Sequence, residues 1–215
     1  MNMTEDRLWG LLKKWDIPTV PVKIASSPDE AAETARTIQY PVVMKILSRD
    51  ISHKSDVGGI ILDINSEDEL RQAYSTLMDS ITKHAPNARI EGVMLQEMAQ
   101  PGLEVIIGAK LDPQFGHVIM FGLGGIFVEI YRDVSFRVTP VDRSTARDMI
   151  HEIKASSIIK GTRGQQPKDI DAIIDVITKL SGMLVSNPEI IELDINPLIV
   201  YSHGAVVVDA RMLIH

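Results

Sequence analysis

The stretch Glu192-Leu193-Asp194-Ile195-Asn196-Pro197, followed after a turn by Val206-Val207-Val208-Asp209-Ala210-Arg211, decides how this chain folds. Both runs alternate polar with apolar residues, the pattern of a strand with one buried face. Between them, Tyr201-Ser202-His203-Gly204 is short enough for a hairpin turn. In an antiparallel hairpin, paired residues keep a constant index sum. A turn centred between Ser202 and His203 therefore sets Asn196 against Asp209 and Asp194 against Arg211. One face then carries Asp194, Asn196, Asp209 and Arg211 within cross-strand reach. Two readings fit this face. Clustered oxygen ligands suit a hard cation such as Mg²⁺, which takes one or two protein groups and completes its octahedron with phosphates and water. A solvated sheet face shows the same alternation.

Outward from the hairpin, the chain reads as a series of short elements. Thr4 opens a helix with Glu5 and Asp6 in its first turn and Leu8, Leu11, Leu12 and Trp15 on one face. Residues 20–24 read as a strand, and Ser27-Pro28-Asp29-Glu30 caps a helix to about Ile38. A strand over 40–47 is apolar except for Lys45. A polar loop over 48–59 leads to a strand over 60–64. Ser66-Glu67-Asp68-Glu69 starts a second helix, with Leu70, Ala73, Leu77 and Ile81 at helical spacing. A strand over 90–98 completes a β-α-β-β-α-β order, that of a small α/β lobe with a split sheet. Strands follow at 102–108, 117–121, 126–131 and 136–139, then helices near 142–154 and 169–185, and the hairpin closes the chain. Two lobes with a ligand cleft between them is the economical arrangement.

Composition narrows the classes. The chain has 215 residues, 45% of them apolar, a net charge of −7 and no cysteine. Lysine and arginine are scattered, so the basic stripe a nucleic-acid binder needs is missing. Without cysteine, disulfides and thiolate metal sites are excluded. Neither a secretory signal nor a run long enough to span a bilayer is visible, so the expectation is a soluble cytoplasmic protein with no membrane partner.

Several residues stand out chemically. Lys45, inside an apolar strand, needs a carboxylate or an anionic ligand, unless the strand is an edge and the ammonium reaches water. Gln96-Glu97-Met98, then Pro101-Gly102-Leu103-Glu104, pass from one lobe to the next. Such a hinge offers backbone groups to a flat base and the Glu104 carboxylate to ribose hydroxyls; a solvated strand glutamate is the alternative. Phe121-Gly122-Leu123-Gly124-Gly125 lacks dinucleotide and P-loop spacing and indicates only close backbone approach. His53 lies among small polar residues and the pair Gly58-Gly59, in a loop too long for a simple turn. It reads as a reactive histidine or as a solvated one. Gly161-Thr162-Arg163-Gly164 reads as an anion-binding or helix-leading loop.

Taken in order, Tyr40-Pro41-Val42-Val43-Met44-Lys45, His53-Lys54-Ser55-Asp56-Val57-Gly58-Gly59, Asp112-Pro113-Gln114-Phe115-Gly116, Phe121 to Gly125 and Asp194-Ile195-Asn196-Pro197 carry a resemblance. Nearly the whole chain resembles the β subunit of ADP-forming acetate–CoA ligase, an ATP-grasp protein related to the succinyl-CoA synthetase β chain. The resemblance implies an α/β (α+β) ATP-grasp fold of two lobes with the nucleotide in the cleft between them. The division expected is an N-terminal helix over 1–19, a small lobe over 20–98 holding a mobile histidine loop, and a large lobe over 99–215 holding the Mg²⁺ hairpin. It implies the reaction acyl-CoA + ADP + phosphate ⇌ acid + CoA + ATP, through acyl phosphate and phosphohistidine. In that scheme Lys45 contacts nucleotide phosphates, Gln96, Glu97 and Met98 line the adenine pocket, and Glu104 holds the ribose. Asn196 and Asp209 hold Mg²⁺, Asp194 sits near the transferred phosphoryl group, and His53 accepts it. Gly58 and Gly59 let the loop approach or pass the nucleotide. Arg137 and Arg211 are candidates for stabilising phosphate charge. The cofactors implied are ATP/ADP and Mg²⁺. The partner implied is an α subunit with the CoA-binding and CoA-ligase domains, assembling as α2β2. Met1 just before a capped helix fits the start of a separate chain, and the C-terminal part of a fusion is the alternative. Rival readings are an ATP-grasp carboxylate–amine ligase and a nucleotide-sensing module of an acyltransferase.

Overall fold

Two serine caps start the helices of one unit of the chain. Ser27 accepts a hydrogen bond from the Glu30 amide (3.2 Å) ahead of α2 (Pro28–Ile38), and Glu30 reaches back to the Ser26 amide (2.7 Å). Ser66 and Glu69 repeat the device ahead of α3 (Glu67–His84), with Glu69 accepting from the Asn65 amide at 2.7 Å. Both satisfy amides that a helix start leaves without partners. The apolar sides of α2 and α3 join a core with β1 (Val22–Ala25), β2 (Val42–Leu47), β3 (Ile60–Ile64) and β4 (Gly92–Glu97). These strands form an antiparallel sheet in the order β1-β4-β2-β3. Strand β4 separates β1 from β2, and β2 separates β3 from β4. Each β-α-β crossover thus straddles one strand, the split arrangement expected from the element order.

This computed structural model describes residues 3–51, 54–125, 132–161 and 166–215. The chain divides into two compact units, Val20–Ala99 and Met1–Thr19 with Gln100–His215. The second unit contains α1 (Glu5–Lys14), β5 (Leu103–Asp112), β6 (Gly116–Leu123) and β7 (Val134–Val138). It continues through α4 (Arg143–Glu152), α5 (Ser156–Ile159), α6 (Ile170–Ser186), β8 (Ile190–Val200), β9 (Ala205–Val207) and β10 (Ala210–Ile214). Its sheet runs β10-β8-β5-β6-β7, with β9 also paired to β8. Ile107, Ile119, Phe121, Leu193 and Ile195 bury one face of this sheet, and α4 and α6 lie against β6, β7 and β8. Arg147 on α4 and Asp171 on α6 pair at 2.7 Å, and Arg143 pairs with Asp175 beside them.

Two differences from the sequence reading concern local elements. The short α5 is additional. The Asp133 carboxylate accepts from the Lys154 and Ala155 amides (2.8 and 2.7 Å) just ahead of it, a support set some twenty residues upstream that periodicity does not display. The strand expected over 126–131 and most of the Gly161-Thr162-Arg163-Gly164 loop lie outside the described residues. Among the described residues, no helix is long and apolar enough to cross a membrane.

Candidate functional site

The hairpin keeps the register its sequence sets. Asp194 is the Cα partner of Arg211, and the Asn196 amide donates to the Asp209 carbonyl at 3.0 Å. Beyond this point β8 continues against β9, with Leu198 opposite Val207. The pairing of β5 with β8 slips where Asn196-Pro197 adds a residue opposite Ile106, so Ile195 and Leu198 both stay buried while Asn196 is exposed. Asp194 faces Gly108 of β5. A Cβ at that glycine would lie 3.9 Å from an Asp194 carboxylate oxygen and 3.3 Å from the Met120 Cε. The missing side chain thus leaves room beside the acid for the end of Met120. Burial pushes the Asp194 carboxyl above its ordinary value, and the nearby charges of Glu192 and Asp209 push the same way, with Arg211 opposing. Glu192 was not among the residues expected at this face. It lies two positions before Asp194 in the same alternating run, so the pattern contained it.

Alternation along β5 puts Glu104, Ile106 and Gly108 on one face, shared with Asp194. Glu104 is exposed there. Its carbonyl accepts from the Gly124 amide (2.9 Å), and a Cβ at position 124 would come within 3.1 Å of the Glu104 Cβ. The glycine-rich turn after β6 is thus a close backbone approach, as its spacing indicates. Arg137 requires a correction. It pairs with the α4 residue Glu152 at 2.6 Å, and its Cα partner is the fully buried Ile119. That places it on the helix-covered side of the sheet, away from the acids. Arg211 is the arginine on the acid face.

Among the described residues no three histidine, aspartate or glutamate side chains form a metal cage. The hairpin instead gathers Asp194, Asn196 and Asp209 on one sheet face. Its donor set fits a cation held by one or two protein oxygens and completed by phosphate and water. Burial first, and then the charges of Glu192 and Asp209, raise the Asp194 carboxyl; a bound cation would offset only the charge part.

In the unit Val20–Ala99, Lys45 is only 4% exposed and sits in β2, flanked by β3 and β4. That removes the edge-strand explanation of its position. The register sets Lys45 against Met94 and Val43 against Gln96, so Lys45 and Gln96 share the face opposite the α2/α3 core. Gln96 is buried (1% exposed), whereas Glu97 is exposed and alternates to the other side. The Met98 amide donates to the Pro41 carbonyl at 3.1 Å, so that amide is already occupied.

His53 lies outside the described residues. The loop downstream of it forms a 3-10 turn, Ser55–Val57. Gly58 and Gly59, expected to let the loop approach or pass the nucleotide, are also packing positions. Gly58 adopts φ 65°, and a Cβ there would collide with the Ser80 hydroxyl. One at Gly59 would lie 2.7 Å from Ile46 Cγ2 and 2.9 Å from the Lys54 carbonyl.

Residues 1–214 match the family model of the ATP-grasp domain. The chain is 47% identical over 212 residues to acetate–CoA ligase [ADP-forming] I subunit beta of Pyrococcus furiosus, covering 99% of this chain and 91% of that one. It is 45% identical over 204 residues to acetate–CoA ligase [ADP-forming] I of Archaeoglobus fulgidus, covering 95% of this chain but only 30% of that protein. Among solved structures, it is similar to the dinucleotide-forming acetyl-coenzyme A synthetase 1 of Ca. Korarchaeum cryptofilum in complex with coenzyme A and Ca-AMPCP. The TM-score is 0.97 at 45% identity, over 100% of this chain and 93% of that one. A second structure of that synthetase, with coenzyme A and Mg-AMPPCP, has its phosphohistidine segment pointing towards the nucleotide binding site. It matches at TM-score 0.85 and 41% identity, over 99% of this chain and 92% of that one.

Proposed function

This chain belongs to the ATP-grasp family and, within it, to the β subunits of ADP-forming acetate–CoA ligases; from that premise we propose that it is the nucleotide-binding subunit of an ADP-forming acyl-CoA synthetase. It binds Mg²⁺ with ADP or ATP and exchanges a phosphoryl group between the nucleotide and His53. The observation that carries this reading is the hairpin register, which brings Asp194, Asn196, Asp209 and Arg211 to one sheet face. Asn196 and Asp209 hold the metal there, and Asp194 lies beside the transferred group. Mg²⁺, when bound, neutralises phosphate charge and orients the oxygens of the reacting phosphates.

The remaining residues bind and orient. Lys45, buried in β2, supplies a fixed positive charge to the phosphates. Gln96, the backbone of Glu97 and the Met98 side chain and carbonyl line the adenine pocket. The Met98 amide is not the donor there, since it is bonded to Pro41. Glu104, exposed beside the Gly124 backbone, takes the ribose hydroxyls. In ATP synthesis an ADP phosphate oxygen attacks the phosphorus of phosphohistidine. A P–O bond forms, the P–N bond breaks, and the imidazole leaves as the neutral base after taking up a proton.

The CoA-binding and CoA-ligase domains lie on a separate α subunit in an α2β2 assembly. The support is the naming of the Pyrococcus relative as a subunit and the 30% coverage of the Archaeoglobus protein. The experiment is incubation with radiolabelled ATP and Mg²⁺. We expect acid-labile, base-stable ³²P on the chain, and none on His53→Ala. Label retained by that variant would rule out the histidine relay.

A further inference from the structure

We propose that Lys110 is a further phosphate-binding residue: from β5 it holds the terminal phosphoryl group beside Asp194, on the side away from the metal, while Arg211 faces that group from β10. This inference deepens the reading above and rests on its placement of Asp194 and Glu104. Three paired strands fix the arrangement. Arg211 of β10 and Gly108 of β5 lie opposite Asp194 from its two sides, and Lys110 lies opposite Glu192, one pair further on. All of these positions share the acid face. Gly108 brings no side chain there, so Lys110 is the nearest charged residue of β5 to Asp194, with Glu104 twice as far along the strand.

The order of charges along β8 gives Lys110 its task. Glu192, Asp194 and Asn196 follow one another at alternate positions, and the metal belongs to the Asn196 end, with Asp209. A phosphoryl group beside Asp194 meets the like charge of Glu192 at the other end, so it needs a cation on that side as well. Lys110 is exposed and directly across from Glu192. Its other cross-strand neighbour, Val118, is apolar, and Asp112 is committed to the Gln114 and Phe115 amides (2.8 and 3.0 Å). Among the described residues, Lys110 and Arg211 each lie opposite an acid without forming an ion pair. Arg137, Arg143 and Arg147 of the same unit are all paired.

Position along β5 sets which phosphate Lys110 meets. At about 3.4 Å per residue, Gly108 lies about 14 Å from Glu104 and Lys110 about 20 Å. With the ribose hydroxyls on Glu104, a diphosphate ends short of the Gly108 level, and a third phosphate brings its terminal group there. Lys110, just beyond, serves that group and not the part of the nucleotide nearer the ribose. Lysine is a point charge on a long flexible stem, so its ammonium stays with the phosphoryl group as the bond to the nucleotide breaks or forms.

Calorimetry on the full chain, with Mg²⁺ and either ADP or the non-hydrolysable triphosphate AMPPCP, tests the assignment. Lys110→Met should weaken AMPPCP binding about tenfold while Mg-ADP affinity stays within twofold of wild type. Lys110→Arg, which keeps the charge, should hold both affinities within about threefold. As a second measurement, Lys110→Met should take up ³²P from labelled ATP at least tenfold more slowly than wild type. Unchanged AMPPCP affinity or unchanged uptake in Lys110→Met would show a solvated surface lysine and overturn the proposal. An equal loss for ADP and AMPPCP overturns it too, because the residue would then act on the whole nucleotide. Wild-type chain that binds neither nucleotide instead removes the reading beneath it, a failure visible before any variant is made.

Discussion

Asp194 is held in a state that costs the free protein stability and serves the proposed chemistry. Its carboxyl is raised above the ordinary value of 3.8, chiefly by burial and then by Glu192 and Asp209. A raised acid binds its proton more tightly in the folded than in the unfolded chain. Stability therefore falls as pH rises from the ordinary carboxylate value through the raised one, and the whole penalty is present at neutral pH. Asp194→Asn should accordingly raise the melting temperature at pH 7, with the gain shrinking as pH is lowered through that window. The same variant should lose phosphoryl transfer. Melts across pH, with ³²P incorporation measured on the same protein, check both halves; a lowered melting temperature at pH 7 would contradict the charge argument. Asp209 carries the complementary prediction. Replacing a metal-holding carboxylate leaves the polyphosphate charge poorly compensated, so Asp209→Asn should weaken Mg-ADP binding by about 1–3 kcal/mol in calorimetry. Unchanged affinity would remove Asp209 from the metal site.

At the scale of elements, the hairpin acts as a unit with the start of α6. The Asp169 carboxylate caps α6 through the Ala172 amide (3.0 Å) and also accepts from the Gly204 amide in the hairpin turn (2.7 Å). These two bonds lower its pKa, the one from Gly204 most. Asp169→Ala should cost about 1–2 kcal/mol in denaturant melts, the range of a lost cap. For a depressed acid the contribution is complete above the unfolded carboxylate pKa and lost as pH falls through the lower folded value. The difference between wild type and variant should therefore close on acidification; a constant gap would show that the carboxylate charge plays no part. The register was legible in the sequence up to shifts of two residues, because one buried face fixes which residues point inward, and a turn centred between Ser202 and His203 selects the observed pairing. The caps at Ser27 and Ser66 were legible for the same reason, as local patterns with local partners. Arg137 was not. Its alternation along β7 is clear, but which side α4 covers depends on pairing through β6 and on Glu152, fifteen residues away. The packing role of the Gly58-Gly59 pair was not legible either, because it depends on Ser80 of α3 and Ile46 of β2, both distant in sequence.

At the scale of the whole molecule, the chain spans most of the Pyrococcus β subunit but less than a third of the Archaeoglobus relative. On the proposed subunit reading the CoA-binding and CoA-ligase domains lie on the α subunit, so the purified chain should bind Mg-ADP yet form no acyl-CoA from acid, CoA and ATP until that subunit is added. Acyl-CoA formed by the chain alone would end the subunit assignment. The decisive prediction concerns His53. A neutral imidazole is a competent nucleophile near pH 7, and its phosphoramidate retains high transfer potential, so one group can accept and donate phosphate. The Asn196/Asp209 hairpin and Lys45 are separate in sequence from that imidazole, so His53→Ala should leave Mg-ADP affinity and assembly with the partner intact while abolishing ATP synthesis. Calorimetry, size-exclusion chromatography of the co-expressed pair and a coupled ATP assay separate these effects. If the variant made ATP at the wild-type rate, phosphate would have to pass directly between acyl group and nucleotide. That is the route of a carboxylate–amine ligase, and the glycine-bearing loop around position 53 would then need another purpose.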